Sequence, residues 1–205
     1  SDAYSGAVSQ YNIGSNSWSV LDTLTHPRIG ASCDYINGKI YVIGGWMGCI
    51  YSPNYCTYFN TIDKHNGNSF NLISDTLSQN IFNPRTVILQ NEIYVIGGRI
   101  YNNGFDFTKT VHILNTVDDS VRIGPQLRIK RGMHSAVLVD NTIYVFGGRN
   151  LNNNALNTIE TLIVTETPTS TPTDTPTRKP TSRPTVRPTF RPILDPTVSP
   201  SKAPT

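Results

Sequence analysis

Arg99 and Arg149 each stand directly after a Gly-Gly pair, and Trp46 holds the same place after a third pair, Gly44-Gly45. Tyr101 follows two residues after Arg99 in an Asn- and Gly-rich stretch, and Arg28 and Arg131 sit in two further polar segments. Arg, Trp and Tyr are the side chains that most often anchor partners, because each offers a large rigid surface with a polar end. Placed together in loops, they point to capture of an acidic partner rather than to bond chemistry. The other candidates are weaker. His26, His65, His112 and His134 share no metal-ligand spacing, and Cys49 and Cys56 are seven residues apart without a nearby histidine pair. No nucleophile elbow, phosphate loop or paired-carboxylate pattern occurs. The sequence implies no catalytic residue, metal or cofactor. Cys49 and Cys56 admit a disulfide across their loop, with two unpaired thiols as the alternative, and Cys33 reads as a small buried hydrophobe.

The elements that must carry these residues repeat. Residues 40–45 read Ile-Tyr-Val-Ile-Gly-Gly, residues 93–98 are identical, and 143–148 differ by one apolar exchange. The apolar run does not alternate with polar residues, so both faces of that strand are expected to be buried. Asn37-Gly38, Gln90-Asn91 and Asp140-Asn141 precede the three copies as hairpin turns. Strands are expected at 7–11, 17–21, 31–36, 39–43, 58–63, 70–73, 85–89, 92–98, 110–114, 121–123, 134–139, 142–148 and 157–164. No helical period appears, and the fold class is all-β.

With its diglycines at Gly44-Gly45, Gly97-Gly98 and Gly147-Gly148, the chain resembles the kelch repeat family, whose members fold as β-propellers. The family's unit adds a Tyr and, some seven residues on, a Trp. Tyr11 and Trp18 match both, while Leu114 and Leu162 replace the Tyr, and Phe70 and Val121 the Trp. Around Asp63 the Tyr position is open by one residue. The resemblance implies a partial propeller: two complete four-stranded blades, with partial blades at each end. The count favours a piece of a longer propeller, with half-propellers pairing as a dimer as the alternative.

Two segments follow from composition. Residues 1–165 form the propeller portion. In 166–205, proline recurs at every fourth residue from Pro168 to Pro204, mostly in Pro-Thr pairs. Such spacing removes backbone donors too often for helix or sheet and lacks apolar residues to offset ordering entropy, so a disordered spacer is expected. It resembles O-glycosylated stalks, which suggests an extracellular or cell-surface setting. From Pro168 onward the net charge is +4 against a chain total of +3, so the basic balance belongs to the tail. Nucleic acid is a poor partner for a near-neutral domain without a known aromatic–basic motif. No run is long enough to cross a membrane.

Labelling the strands of each blade a to d from the centre outward, the b–c and d–a loops share one face of a propeller. That face collects Arg28, Arg85, Arg99, Lys109, Arg128, Lys130, Arg131 and Arg149 against Asp22, Asp75 and Asp106; the opposite face is acidic. The expectation is a non-catalytic interaction module that binds a protein or anionic glycan there, through Trp46, Arg99, Tyr101, Arg149, Arg28 and Arg131. The alternative is the stalk-proximal part of a secreted carbohydrate-active or oxidase-type enzyme.

Overall fold

The computed structural model describes residues 5–48, 56–152 and 154–163; the segment Glu166–Thr205 lies wholly outside the described residues. All regular structure in the described residues is β. The chain opens with a two-stranded sheet of β1 (Ala7–Asn12) and β2 (Ser17–Thr23). The first full blade has β3 (Ser32–Ile36), β4 (Lys39–Ile43), β7 (Ile62–His65) and β8 (Phe70–Leu72), hydrogen-bonded in that order. The second repeats it with β9 (Arg85–Leu89), β10 (Glu92–Ile96), β13 (Val111–Asn115) and β14 (Val121–Ile123). The last sheet has three strands, β15 (Ser135–Val139), β16 (Thr142–Phe146) and β17 (Ile159–Ile163). Two complete blades with partial blades at either end is the arrangement the repeat predicts.

Between strands b and c of both full blades stands an extra hairpin: β5 (Trp46–Met47) with β6 (Thr57–Tyr58), and β11 (Arg99–Tyr101) with β12 (Phe105–Phe107). One long strand over 58–63 is therefore corrected to two short ones. Tyr58 belongs to the hairpin, and strand c begins only at Ile62. The same register resolves the open Tyr position. Ile40 pairs with His65 as Ile93 pairs with Leu114 and Ile143 with Leu162. His65 fills the place, and its ring meets that of Phe70 at 4.9 Å, as Tyr11 meets Trp18 at 5.2 Å.

Blades are locked together at the diglycines. Gly45 N–H donates to Ile81 O of the next blade at 2.8 Å, and Gly98 N–H to Arg131 O at 3.0 Å. Gly44 has φ of +66°, and a Cβ there would lie 2.3 Å from Ile81 O. Only glycine permits both the left-handed backbone and that approach. The buried Ile43, Ile62, Leu77 and Ile81 form the seam between the first two blades, and Ile96, Val111, Ile143 and Val145 the next. At the end sheets the corresponding apolar residues are open. Ile159 is 60% exposed where Ile62 and Val111 are fully buried, and Trp18 is 71% exposed where Phe70 is buried. For the same reason both faces of β4 and β10 are covered, while β16 exposes Phe146.

The first full blade and the last sheet also carry a polar clamp. Arg28 donates to Gly44 O at 3.0 Å, Thr61 O at 3.2 Å and the Asp63 carboxylate. Arg131 donates to Gly147 O at 2.8 Å, Thr158 O at 3.3 Å and Glu160 at 2.5 Å. In the middle blade, Ile81 and His112 occupy the matching positions, exchanged together. The strand-c residue has one duty in all three: it accepts a backbone N–H three residues before the clamp position. Asp63 accepts from Thr25, His112 Nε2 from Ser78 at 3.1 Å, and Glu160 from Arg128.

His112 is fully buried, and burial pushes its pKa down to about 4. His134, packed beneath Gly97, is also pushed to about 4, by burial first and then by Arg131 and Arg85. Protonating His112 Nε2 would also abolish its acceptance of the Ser78 N–H. The unfolded chain takes up these protons near pH 6.5 and the folded one only near 4. The stabilisation is therefore complete above about pH 6.5 and lost as pH falls towards 4. Between pH 7 and 5 each histidine should remove about 2 kcal/mol of stability. Urea unfolding at both pH values checks this, and His112→Gln should flatten the dependence.

Candidate functional site

The two hairpins rise beside one another on the b–c and d–a loop face, each bonded to a d–a loop. Ile29 bridges to Trp46, Phe82 to Arg99, and Gly132 to Arg149, which also pairs with Ala155. Trp46, Arg99 and Arg149 thus occupy equivalent positions in three successive blades, as their place after the diglycines implies.

Between the hairpins their rings pack into one cluster. Tyr58 and Tyr101 stack at 4.8 Å with planes 11° apart, and Phe105 meets Tyr101 edge-on at 5.3 Å. Phe82, from the d–a loop, meets Tyr58 at 5.5 Å and Trp46 at 6.5 Å. The Tyr58 hydroxyl is buried with no hydrogen-bond partner among the described residues, and burial raises its pKa. Arg99 lies over this cluster, its guanidinium carbon 4.6 Å from the Phe105 centroid and 5.3 Å from that of Phe82. Such stacking uses the guanidinium face and leaves its edge of N–H donors for a planar acceptor.

Arg99 and Phe105 form a shared wall between two depressions. One, about 130 Å³, is lined by Trp46, Tyr58, Phe82 and Asn83. The other, about 250 Å³, reaches the next blade and is lined by Asp106, Phe107, Met133, Asn150 and Leu151. Lys130 bonds Asp106 at 2.6 Å; although burial opposes ionisation, that bond and the Phe107 N–H hold the carboxyl below its ordinary pKa.

The residues expected to bind do not all come together. Trp46, Arg99 and Tyr101 share the cluster, and Arg149 lies on the neighbouring blade, exposed. Arg28 and Arg131 do not belong to the surface: both side chains are fully buried in the clamps. Cys33, expected to be buried, is exposed as a free thiol. Cys56 is disulfide-bonded, and Cys49 lies outside the described residues. The expected charge contrast shrinks as well. Arg28, Lys130 and Arg131 are neutralised by Asp63, Asp106 and Glu160, and on the opposite face Lys64 pairs with Asp119. Sequence reading missed Tyr58 and Phe105, although the aromatic content of both b–c segments was the available signal, and it missed Phe82, which comes from a d–a loop. Among the described residues, no group of three or more His, Cys, Asp or Glu is placed to hold a metal ion, and no helix is long and apolar enough to cross a membrane.

Residues 27–64 and 130–163 match the model of the Kelch motif. Each matched stretch contains both halves of an arginine–carboxylate clamp, and the repeat between them carries Ile81 and His112 instead. The chain is also 31% identical over 109 residues to the kelch repeat protein M-T8 of Myxoma virus (strain Lausanne). That match covers 53% of this chain and 20% of the viral protein, so the similarity spans about a fifth of the relative's length.

Proposed function

Because the chain belongs to the kelch repeat family, we propose that it is a protein-interaction module, binding through the b–c and d–a loop face and carried on its Pro/Thr-rich segment as an extracellular spacer. The observation that carries this reading is the aromatic cluster under Arg99, which combines the residue types that dominate binding energy. Both depressions are smaller than the roughly 300 Å³ at which small-molecule sites begin. Their walls are mostly aromatic and apolar, which suits peptide side chains better than an anionic glycan.

The test immobilises the protein and screens it against a random peptide library and, separately, against heparin. Peptides should be enriched, their binding should weaken as salt is raised, and Arg99→Glu with Arg149→Glu should abolish it. Enrichment unaffected by the double charge reversal would refute the assignment to this face. Capture of heparin alone would shift the reading to a glycan partner.

A further inference from the structure

We propose that Arg99 and the two depressions it separates recognise a short extended peptide in which one carboxylate side chain is flanked by two apolar side chains. This rests on the interaction-module reading and specifies its ligand.

The guanidinium of Arg99 stacks over Phe105 and Phe82, with Phe107 at 5.9 Å. The pairing cations around it are spent differently: Lys130 holds Asp106, and Arg28 and Arg131 are buried in their clamps. Arg99 has contacts to its face and none of these acids on its edge. A carboxylate is the group that matches a guanidinium edge with two parallel hydrogen bonds. The rings beneath keep that edge fixed, so little side-chain entropy is lost on binding.

The neighbouring walls settle what stands beside the carboxylate. Trp46, Tyr58 and Phe82 make the smaller depression apolar, and Phe107, Met133 and Leu151 do the same for the larger. Each is sized for a side chain, and both open against Arg99 and Phe105. A ligand that fills both must therefore pass over Arg99. Asp106 decides between anions. It lines the larger depression with its charge spent on Lys130, which leaves Arg99 as the cation of that lining: one carboxylate is matched by it, whereas the second charge of a phosphate finds no counter-charge there.

The experiment selects peptides from a random library on the intact chain, then compares each enriched peptide with copies carrying Gln or phosphoserine at the acidic position. The expected motif is one acidic residue between two apolar ones. Replacing the acid by Gln should weaken binding by about tenfold or more, as for loss of a charge-assisted hydrogen bond. In Arg99→Gln the Glu and Gln peptides should bind alike, and Arg99→Lys should recover part of the preference. Backbone bonding of Arg99 to Phe82 does not use the side chain, so these variants retain the hairpin. A Glu-over-Gln preference that persists in Arg99→Gln overturns the proposal, as does tighter binding of phosphoserine. If Trp46→Ala and Tyr101→Ala weaken binding but no acidic position is enriched, the ligand class is wrong while the module reading stands. If neither variant changes binding, the module reading fails at this face.

Discussion

Replacing Gly44 with alanine should destabilise the protein by roughly 3 kcal/mol or more, at the upper end for a single substitution. Two costs add. A left-handed alanine is strained by about 1–2 kcal/mol, and Gly44 has φ of +66°. The added Cβ would also sit 2.3 Å from Ile81 O, a backbone atom of the next blade. Moving Ile81 would break the Gly45 N–H bond to the same carbonyl and the Ile81 N–H bond to Phe59 O. Ile81 is fully buried in the seam, so the loop cannot yield without opening apolar packing. Gly38→Ala is the matched control. Gly38 has φ of +76° but nothing within 4 Å of its Cβ position, so it should lose only the left-handed strain of about 1–2 kcal/mol. Urea unfolding of the two variants separates the contributions; equal losses would show that blade contact at the diglycine is unimportant.

That contrast also marks what was legible in the sequence. The diglycines showed where a strand must end in special backbone, and their spacing showed that blades recur. Which neighbour approaches each glycine is a tertiary fact, visible only once Ile81 and Arg131 are seen against the preceding blade. The apolar runs in β4 and β10 announced burial on both faces. The same pattern in β16 did not foresee the exposure of Phe146, because burial there depends on what packs against the sheet and not on the strand. Likewise, the split of residues 58–63 follows from pairing of Tyr58 with Trp46, a contact across a loop that no local period encodes.

The candidate site was half legible. Position after a diglycine placed Trp46, Arg99 and Arg149 on one face, since equivalent residues in successive blades point alike. Charge counting failed for Arg28 and Arg131 because it treats every loop arginine as solvated. Their partners Asp63 and Glu160 lie on strand c, more than 25 residues away in sequence. A repeat-by-repeat comparison contained the clue: arginine and acid occur together in two repeats and are replaced together by Ile81 and His112 in the third. Paired exchange of that kind marks contact rather than ligand binding.

The exchange makes the second prediction. Arg131→Met alone should cost about 3–5 kcal/mol, because Glu160, only 11% exposed, would keep its charge without the buried cation. Its bonds from the Arg128 and Ile129 N–H groups remain, which sets the lower end of the range. The combination Arg131→Ile with Glu160→His transplants the middle blade's solution. Isoleucine needs no counter-charge, and a neutral imidazole at 160 can accept the Arg128 N–H as His112 accepts that of Ser78. A double-mutant cycle of Arg131→Ile and Glu160→His should therefore show coupling on the order of 2 kcal/mol, with the double variant more stable than either single one. Additive losses would mean that the two positions are independent and that the clamp is not a unit. The exchange carries its own signature in pH. At neutral pH the new histidine is uncharged, but buried as His112 is, it should bind its proton far more weakly folded than unfolded. The double variant should then lose stability more steeply than the parent as pH falls below 6.5, because a third imidazole held below its ordinary pKa by burial joins His112 and His134, the latter still held down by its burial once the Arg131 charge is gone.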